Sequence, residues 1–262
     1  MDRSAELDTD GGRKAHQKIV KPPSMVELAT RSIRQMILGG DLLPGDRVVE
    51  NRLKEDLGIS RPPLREALRR LEHEGLVKQF PHRGAVVTPL TLHDVYEILT
   101  LRHWFEHLAI DLGVPVSDPE RLERCWRELR RMEAAADARD EAELSDAKFD
   151  FHTAVVGLSG HRRLEEGYRS LQMQMKLCMA LNRSSRAHRH ETPSGIIMRH
   201  RTLLRIIEEG DPAAAREELE RHGDRTFLMD LPGNLEAGSA EALRWLERAQ
   251  AEQTARAPRG AE

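Results

Sequence analysis

The sequence predicts a mostly α-helical chain in two parts. Three short helices and a β-hairpin come first, followed by an all-α bundle of six helices. Three observations carry this. The stretch Ile59 to Val77 (ISRPPLREALRRLEHEGLV) has apolar residues at helical spacing and marks at both ends. A short pair of strand-like runs, LVKQFPHRGAVVTPL, follows it and turns at Pro81-His82-Arg83-Gly84. From Thr91 onward no alternating pattern recurs, and Pro, Gly and Asp punctuate helical segments.

Bulk properties allow two modest domains: 262 residues, 39% hydrophobic and 32% charged. The net charge is −3, unevenly spread. Lys21 to Leu90 holds 12 Lys and Arg against 9 Asp and Glu, so the remainder carries −6. A basic first third on an acidic remainder fits a nucleic-acid-binding module joined to a different kind of domain. Cys125 and Cys178 have no metal-type spacing and read as buried thiols of a reducing compartment. No apolar run reaches the roughly 20 residues of a membrane span, and the first residues lack an apolar signal core. The expected location is the cytoplasm.

The elements follow in order. Residues 1–23 read as a disordered arm whose Arg13, Lys14, Lys18 and Lys21 could touch phosphate. Ser24 to Leu38 is a helix opened by a Ser24/Glu27 capping box and ended by Gly39-Gly40. Its stripe is Val26, Ala29, Ile33, Met36 and Ile37. A Pro-Gly turn leads into a short extended piece. Glu50 to Leu57 is the second helix, closed by Gly58.

The third helix has Ser60 as N-cap, with a hydroxyl suited to an orphan N–H. Pro62 and Pro63 sit in the first turn, and Gly75 takes the left-handed position beyond the end. Leu64, Ala67, Leu68 and Leu71 form its stripe. Arg61 and Arg65 lie four apart on one face. Cations at a helix start oppose the macrodipole, so an external anion such as DNA is their natural partner. The alternative is a solvated Arg-rich helix. Three helices and a hairpin with a basic tip make the layout of a winged helix-turn-helix, whose third helix enters the major groove.

The run LGG-D-LLPGDRVVE-NRL-KEDLGISRPPLREALRRLEHEGLV-KQFPHRGAVV resembles the DNA-binding domain of the GntR family of bacterial transcription regulators, over about 65 residues. The resemblance implies that Arg61 and Arg65 contact bases and phosphates, with Ser60 and Pro62 beside them. Arg83 and Gly84 match the wing tip, and Arg47 and Asn51 match positions that touch phosphate.

Helical stretches then run over 92–112, 119–137, 141–158, 161–183, 194–209 and 212–230. Thr91 with Asp94 caps the first, and Asp211 with Pro212 opens the last. Residues 24–90 are read as the DNA-binding domain, 91–232 as the helical domain and 233–262 as a tail. Within the tail, 240–250 could add a few amphipathic turns around Leu243, Trp245 and Leu246.

His152, His200 and His222 sit on three of these helices among apolar neighbours. Converging imidazoles would be a nucleus for Zn²⁺ or Ni²⁺. Separate hydrogen-bonded surface histidines are the alternative. This segment resembles the FCD domain, the effector-binding module of the FadR branch of GntR regulators. The resemblance rests on Arg102 and Glu106, Phe151-His152 with Ser159-Gly160, and His200 with the EEGDPAAA run. It implies a metal held by the three histidines and an aspartate four residues before the first. Here that position is Lys148, so the fourth ligand is absent, and Asp146 and Asp150 point off the His152 face. Lys148 could instead replace the cation. Arg102 matches the family's pocket arginine and implies a small carboxylate effector, with Asn182 a weaker candidate. An Arg102–Glu106 pair within the helix is the alternative.

The function expected is a homodimeric regulator, a repressor released by an organic acid, on a palindromic operator. Two rivals remain: a constitutive dimeric DNA-binding protein without effector, and a histidine-site metalloenzyme. The latter lacks an HExxH and a placed general base.

Overall fold

A computed structural model of the chain describes residues 22–80, 84–181, 192–222 and 235–256. In the first domain α1 (Met25–Gly39) is followed by β1 (Arg47–Val48), α2 (Glu50–Leu57), α3 (Arg61–His73), β2 (Val77–Phe80) and β3 (Gly84–Val87). The capping box of α1 forms in full: Glu27 N–H donates to Ser24 Oγ, and Ser24 N–H donates to the Glu27 carboxylate. Ile33 and Ile37 from α1 meet Leu64, Leu68 and Leu71 from α3, all fully buried. Each such side chain contributes about 1.5–3 kcal/mol over an exposed one.

One expectation is refined here and another corrected. The short extended piece before α2 is a third strand, since β1 pairs antiparallel with β3 (Arg47 opposite Val86) in a sheet of order β1-β3-β2. Ser60 is the N-cap of α3, but its hydroxyl accepts no capping hydrogen bond. The reason is local. A cap side chain receives N–H from the second or third helical residue. Those residues are Pro62 and Pro63, which have none.

The second domain contains α4 (Leu92–Gly113), α5 (Pro119–Asp137), α6 (Glu141–Gly157), α7 (Arg162–Ala180), α8 (Pro193–Glu209) and α9 (Pro212–His222). The Thr91/Asp94 capping box and the Asp211 cap both form. Between α5, α6, α8 and α9 lies one core, with Leu129, Met132, Phe151, Leu203 and Leu204. A second core, with Phe149, Tyr168 and Met175, joins α4, α6 and α7. Cys125 is buried in the first of these cores and Cys178 in the second, both as free thiols, and burial pushes the Cys125 thiol up to about 12.

Helix α7 crosses between the domains. Its Leu177 is buried in the core of the first domain, with Met173 packed beside it, while Met175 and Cys178 face the second. Met173 and Met175, two residues apart on α7, therefore serve different cores.

Within the segment read as a tail, residues 240–256 form a helix. A tenth helix, α10 (Ala240–Arg256), packs on α4. Trp245 meets Tyr96 edge-on at 5.5 Å, and Ala249 enters the core of α4 and α7. Ahead of it, Leu92 N–H donates to the Glu236 carbonyl, and a Cβ on Gly238 would lie 2.7 Å from the His93 Cβ. The C-terminal segment is thus clamped over the start of α4, beside the domain junction. We expect Trp245→Ala to cost about 2 kcal/mol, read as a lower thermal midpoint, because a large aromatic leaves a half-buried site. An unchanged midpoint would mean that α10 rests on the bundle without stabilising it.

Candidate nucleic-acid interface and effector site

Ser60, Arg61, Pro62 and Arg65 are all exposed at the start of α3, and Asn51 is exposed at the start of α2. Arg65 Nε lies 3.5 Å from the carboxylate of Glu50, which joins the two helix starts at one edge. Arg47 is exposed on β1, and Gly84 opens β3 with φ +80°, a backbone shape that favours glycine. Six of the eight expected DNA-contacting residues are therefore exposed, and Gly84 is half-buried. Arg83 lies outside the described residues. The Ser60 hydroxyl, not consumed by capping, is left for an outside acceptor such as phosphate.

In the second domain Arg102 and His152 meet at a buried carboxylate. Glu106 Oε1 accepts from Arg102 Nε at 2.9 Å and from the Tyr168 hydroxyl at 2.5 Å, and it lies 3.2 Å from His152 Nδ1. Arg102 and Glu106 are each 6% exposed. Burial alone would raise the Glu106 carboxyl. The Arg102 guanidinium, then His152, outweigh burial and hold it well below the usual carboxylate range. The intrahelical Arg102–Glu106 pair, set out above as the alternative to a pocket arginine, is thus formed. Tyr168 was missed in the sequence, because its partner lies 62 positions away.

His152 and His200 do converge, with ring centroids 5.3 Å apart. His200 Nδ1 lies 2.7 Å from the Ile196 carbonyl oxygen. With its proton there, the lone pair belongs to Nε2. A proton on His152 Nδ1, toward Glu106, has the same consequence. Such backing by a carbonyl and a carboxylate is how ligand histidines are oriented. Lys148 is buried one turn before His152. Asp146 pairs with Lys176 at 2.5 Å and Asp150 with Arg131 at 2.6 Å, so neither substitutes for the missing aspartate. His222 closes α9, but its side chain lies outside the described residues, as does Asn182. Among the described residues no group of three or more His, Cys, Asp or Glu could hold a metal. Two of the three expected imidazoles lie side by side, and Lys148 stands where the family's aspartate would be.

Comparison with known proteins bears on both regions. Residues 26–87 match the bacterial regulatory proteins of the gntR family, and residues 97–225 match the FCD domain. The HTH-type transcriptional regulator YdhC of Bacillus subtilis is 31% identical over 206 residues, covering 78% of this chain and 90% of that protein. The gluconate operon transcriptional repressor of the same organism is 24% identical, covering 73% and 79%. Among solved structures, a GntR regulator from Rhodococcus sp. RHA1 superposes with TM-score 0.60 at 23% identity, covering 89% of this chain and 99% of that one. McbR/YncC of E. coli gives 0.57 at 20%, covering 88% and 100%.

Proposed function

Since this chain belongs to the GntR family of DNA-binding transcription regulators and carries an FCD domain, we propose that it is a repressor whose grip on a palindromic operator is relieved by a small organic acid. The observation that carries the effector half is the buried polar cluster of Arg102, Glu106, Tyr168, His152 and His200 inside the helical bundle. Polar groups are costly to bury without a task. This cluster offers a guanidinium and two imidazoles to a carboxylate. Repression is supported by relatives named as repressors, such as that of the gluconate operon.

The recognition helix would read one half-site through Arg61 and Arg65, with Ser60, Pro62, Asn51, Arg47 and the Arg83-Gly84 wing tip positioning it. Two copies would read the operator. Within residues 24–90 and 91–232 as separate domains, α7 is the natural coupling element. It carries Tyr168 to the Glu106 cluster and Leu177 into the core of the first domain. An acid that displaces Glu106 from Arg102 would shift α7, and it acts only through its differential affinity for the two states.

A divalent ion, Zn²⁺ or Ni²⁺, would be held by His152, His200 and His222, supplying a Lewis-acidic anchor for the effector carboxylate. The backed Nδ1 positions favour this. A second reading is favoured by Lys148: its ammonium, buried at the family's aspartate position, would attract the acid without a metal.

Two measurements test this. Anisotropy of the purified chain on DNA from upstream of its own coding region should give Kd near 10⁻⁸ M or tighter. A panel of mono-, di- and hydroxycarboxylic acids should then release the DNA. Failure of every acid on an operator that is bound would favour the constitutive rival. Metal content by mass spectrometry should show about one ion per chain, lost in His152→Ala and His200→Ala. Metal-free protein that still responds to an acid would favour the Lys148 reading.

A further inference from the structure

The linker between the two domains is tied down on both sides. Toward the first domain, Thr88 N–H donates to the Leu76 carbonyl at 2.9 Å, and the Thr88 hydroxyl donates to the Gly75 carbonyl at 2.6 Å. Toward the second, Leu92 N–H donates to the Glu236 carbonyl at 2.8 Å. Between these points lie Pro89, Leu90 and Thr91, and the ring of Pro89 fixes its φ. Leu90 packs against cores of both domains. Any turn of the DNA-binding domain must be absorbed by these few residues, which makes them a hinge.

The far side of that hinge is held by the C-terminal segment. The first N–H groups of a helix have no partner within it. In α4 the Thr91 hydroxyl accepts that of Asp94, and the Glu236 carbonyl accepts that of Leu92. Gly238 lies so close that a Cβ there would be 2.7 Å from the His93 Cβ and 3.3 Å from Thr91 Oγ1, and its φ is +72°. Ser239 Oγ accepts from Ala242 N–H at 3.1 Å, which caps α10, and it lies 2.8 Å from His93 Nδ1. One hydroxyl serves both by accepting from the amide and donating to the imidazole. Behind this hook Ala249 is buried, with Trp245 and Leu246 packed beside it, in the core that holds Tyr168 and Met175 of α7. The segment thus grips α4 at the hinge and enters the core that α4 shares with α7. It lies outside residues 97–225, which match the FCD domain.

We propose that the chain from Glu236 to the end of α10 is a strap that narrows the placement of the DNA-binding domain, and so tightens the grip on two half-sites taken together without touching DNA. This rests on the reading of the chain as a regulator that binds a two-fold operator. Engaging a second half-site costs the ordering of whatever lets the domains move, and a pinned hinge lowers that cost in advance. Gly238 and Ser239 are then positioning residues for DNA binding. Loosening them leaves α3 and the wing intact and spreads where they stand. The same strap sets the resistance that a shift of α7 must overcome, since Ala249 and Tyr168 share one core.

The test combines amide exchange and DNA binding on the full chain, for wild type, Gly238→Ala, Ser239→Ala and Glu247→Ala. Glu247 is exposed on α10 and serves as the control. Gly238→Ala and Ser239→Ala should each speed exchange of the peptide containing Leu92 by about tenfold, because the Glu236 carbonyl no longer holds its amide. Anisotropy on DNA from upstream of the chain's own coding region, with both half-sites present, should weaken by about fivefold or more in both variants. On the same fragment with one half-site scrambled, both variants should match wild type, and Glu247→Ala should match it throughout. Unchanged exchange at Leu92 would overturn the proposal. So would faster exchange with unchanged affinity for the two-half-site fragment, or an equal loss on both fragments. A wild type that binds neither fragment would overturn the DNA-binding reading instead, whatever the exchange shows.

Discussion

Arg61→Ala and Arg65→Ala should each weaken operator binding by roughly tenfold to more than a hundredfold, without changing the fold. Both side chains are exposed on the start of α3, so truncation removes no core contact. The ion pair of Arg65 with Glu50 is no obstacle to DNA contact. At 3.5 Å, with the Arg65 side chain 63% exposed, it is a surface pair of the kind worth about 0–1 kcal/mol. A bidentate guanine contact discriminates by about 1–3 kcal/mol, which is the expected loss. The two roles separate experimentally. Loss of a base contact relaxes preference at one base pair. Loss of a phosphate contact weakens all sequences alike and lowers the salt slope by about one. Arg162→Ala, an exposed arginine of α7, is the control. A double Arg61→Ala, Arg65→Ala variant within threefold of wild type would return α3 to an ordinary solvated helix.

Much of the fold that carries this candidate interface was legible in the sequence because its determinants are local. Capping residues, a Pro-Gly turn and short apolar stripes act within one helix, and they placed α1, α2 and α3 to within a residue or two. The Ser60 hydroxyl was misjudged, although the correction was also local: prolines at the two positions that would donate to it. Strand β1 was missed as a strand because two residues carry no periodicity, and only pairing across to β3 defines them.

The second domain was legible in its helices and only partly in its site. Arg102 and Glu106 are four apart, so their pairing can be read from spacing, and His152 with His200 stood out by their apolar neighbours on separate helices, a reading that the resemblance then joined. What joins them is a hydroxyl on α7 and the depth of burial, both tertiary. Helix α10 was underread for a related reason. Its apolar residues are few, and their partners, Tyr96 and the start of α4, are distant in sequence.

Glu106→Gln should destabilise the chain by about 3–5 kcal/mol, a large part of the 5–15 kcal/mol that holds a typical protein folded. The amide keeps the size of the carboxyl but not its charge, so Arg102 is left buried beside a neutral group. Tyr168→Phe, which removes one hydroxyl from the same charged oxygen, should cost less, about 1.5–3 kcal/mol. Replacing both charges, as Arg102→Met with Glu106→Leu, should recover most of the loss, because it is the unpaired charge and not the absence of the pair that is costly. The pH dependence follows from the same geometry. The Glu106 carboxyl is held well below its unfolded value, so the folded state keeps it ionised where the unfolded chain binds a proton. Its contribution is fully present above about pH 4.3 and is lost progressively as pH falls below that value. Denaturant midpoints of wild type and Glu106→Gln should therefore differ most at neutral pH and converge toward acid. A constant difference from pH 7 to pH 3, or a cost under 1 kcal/mol at neutral pH, would mean that Glu106 is not the charged centre of this cluster. The acid proposed as effector would then need another counter-charge to displace.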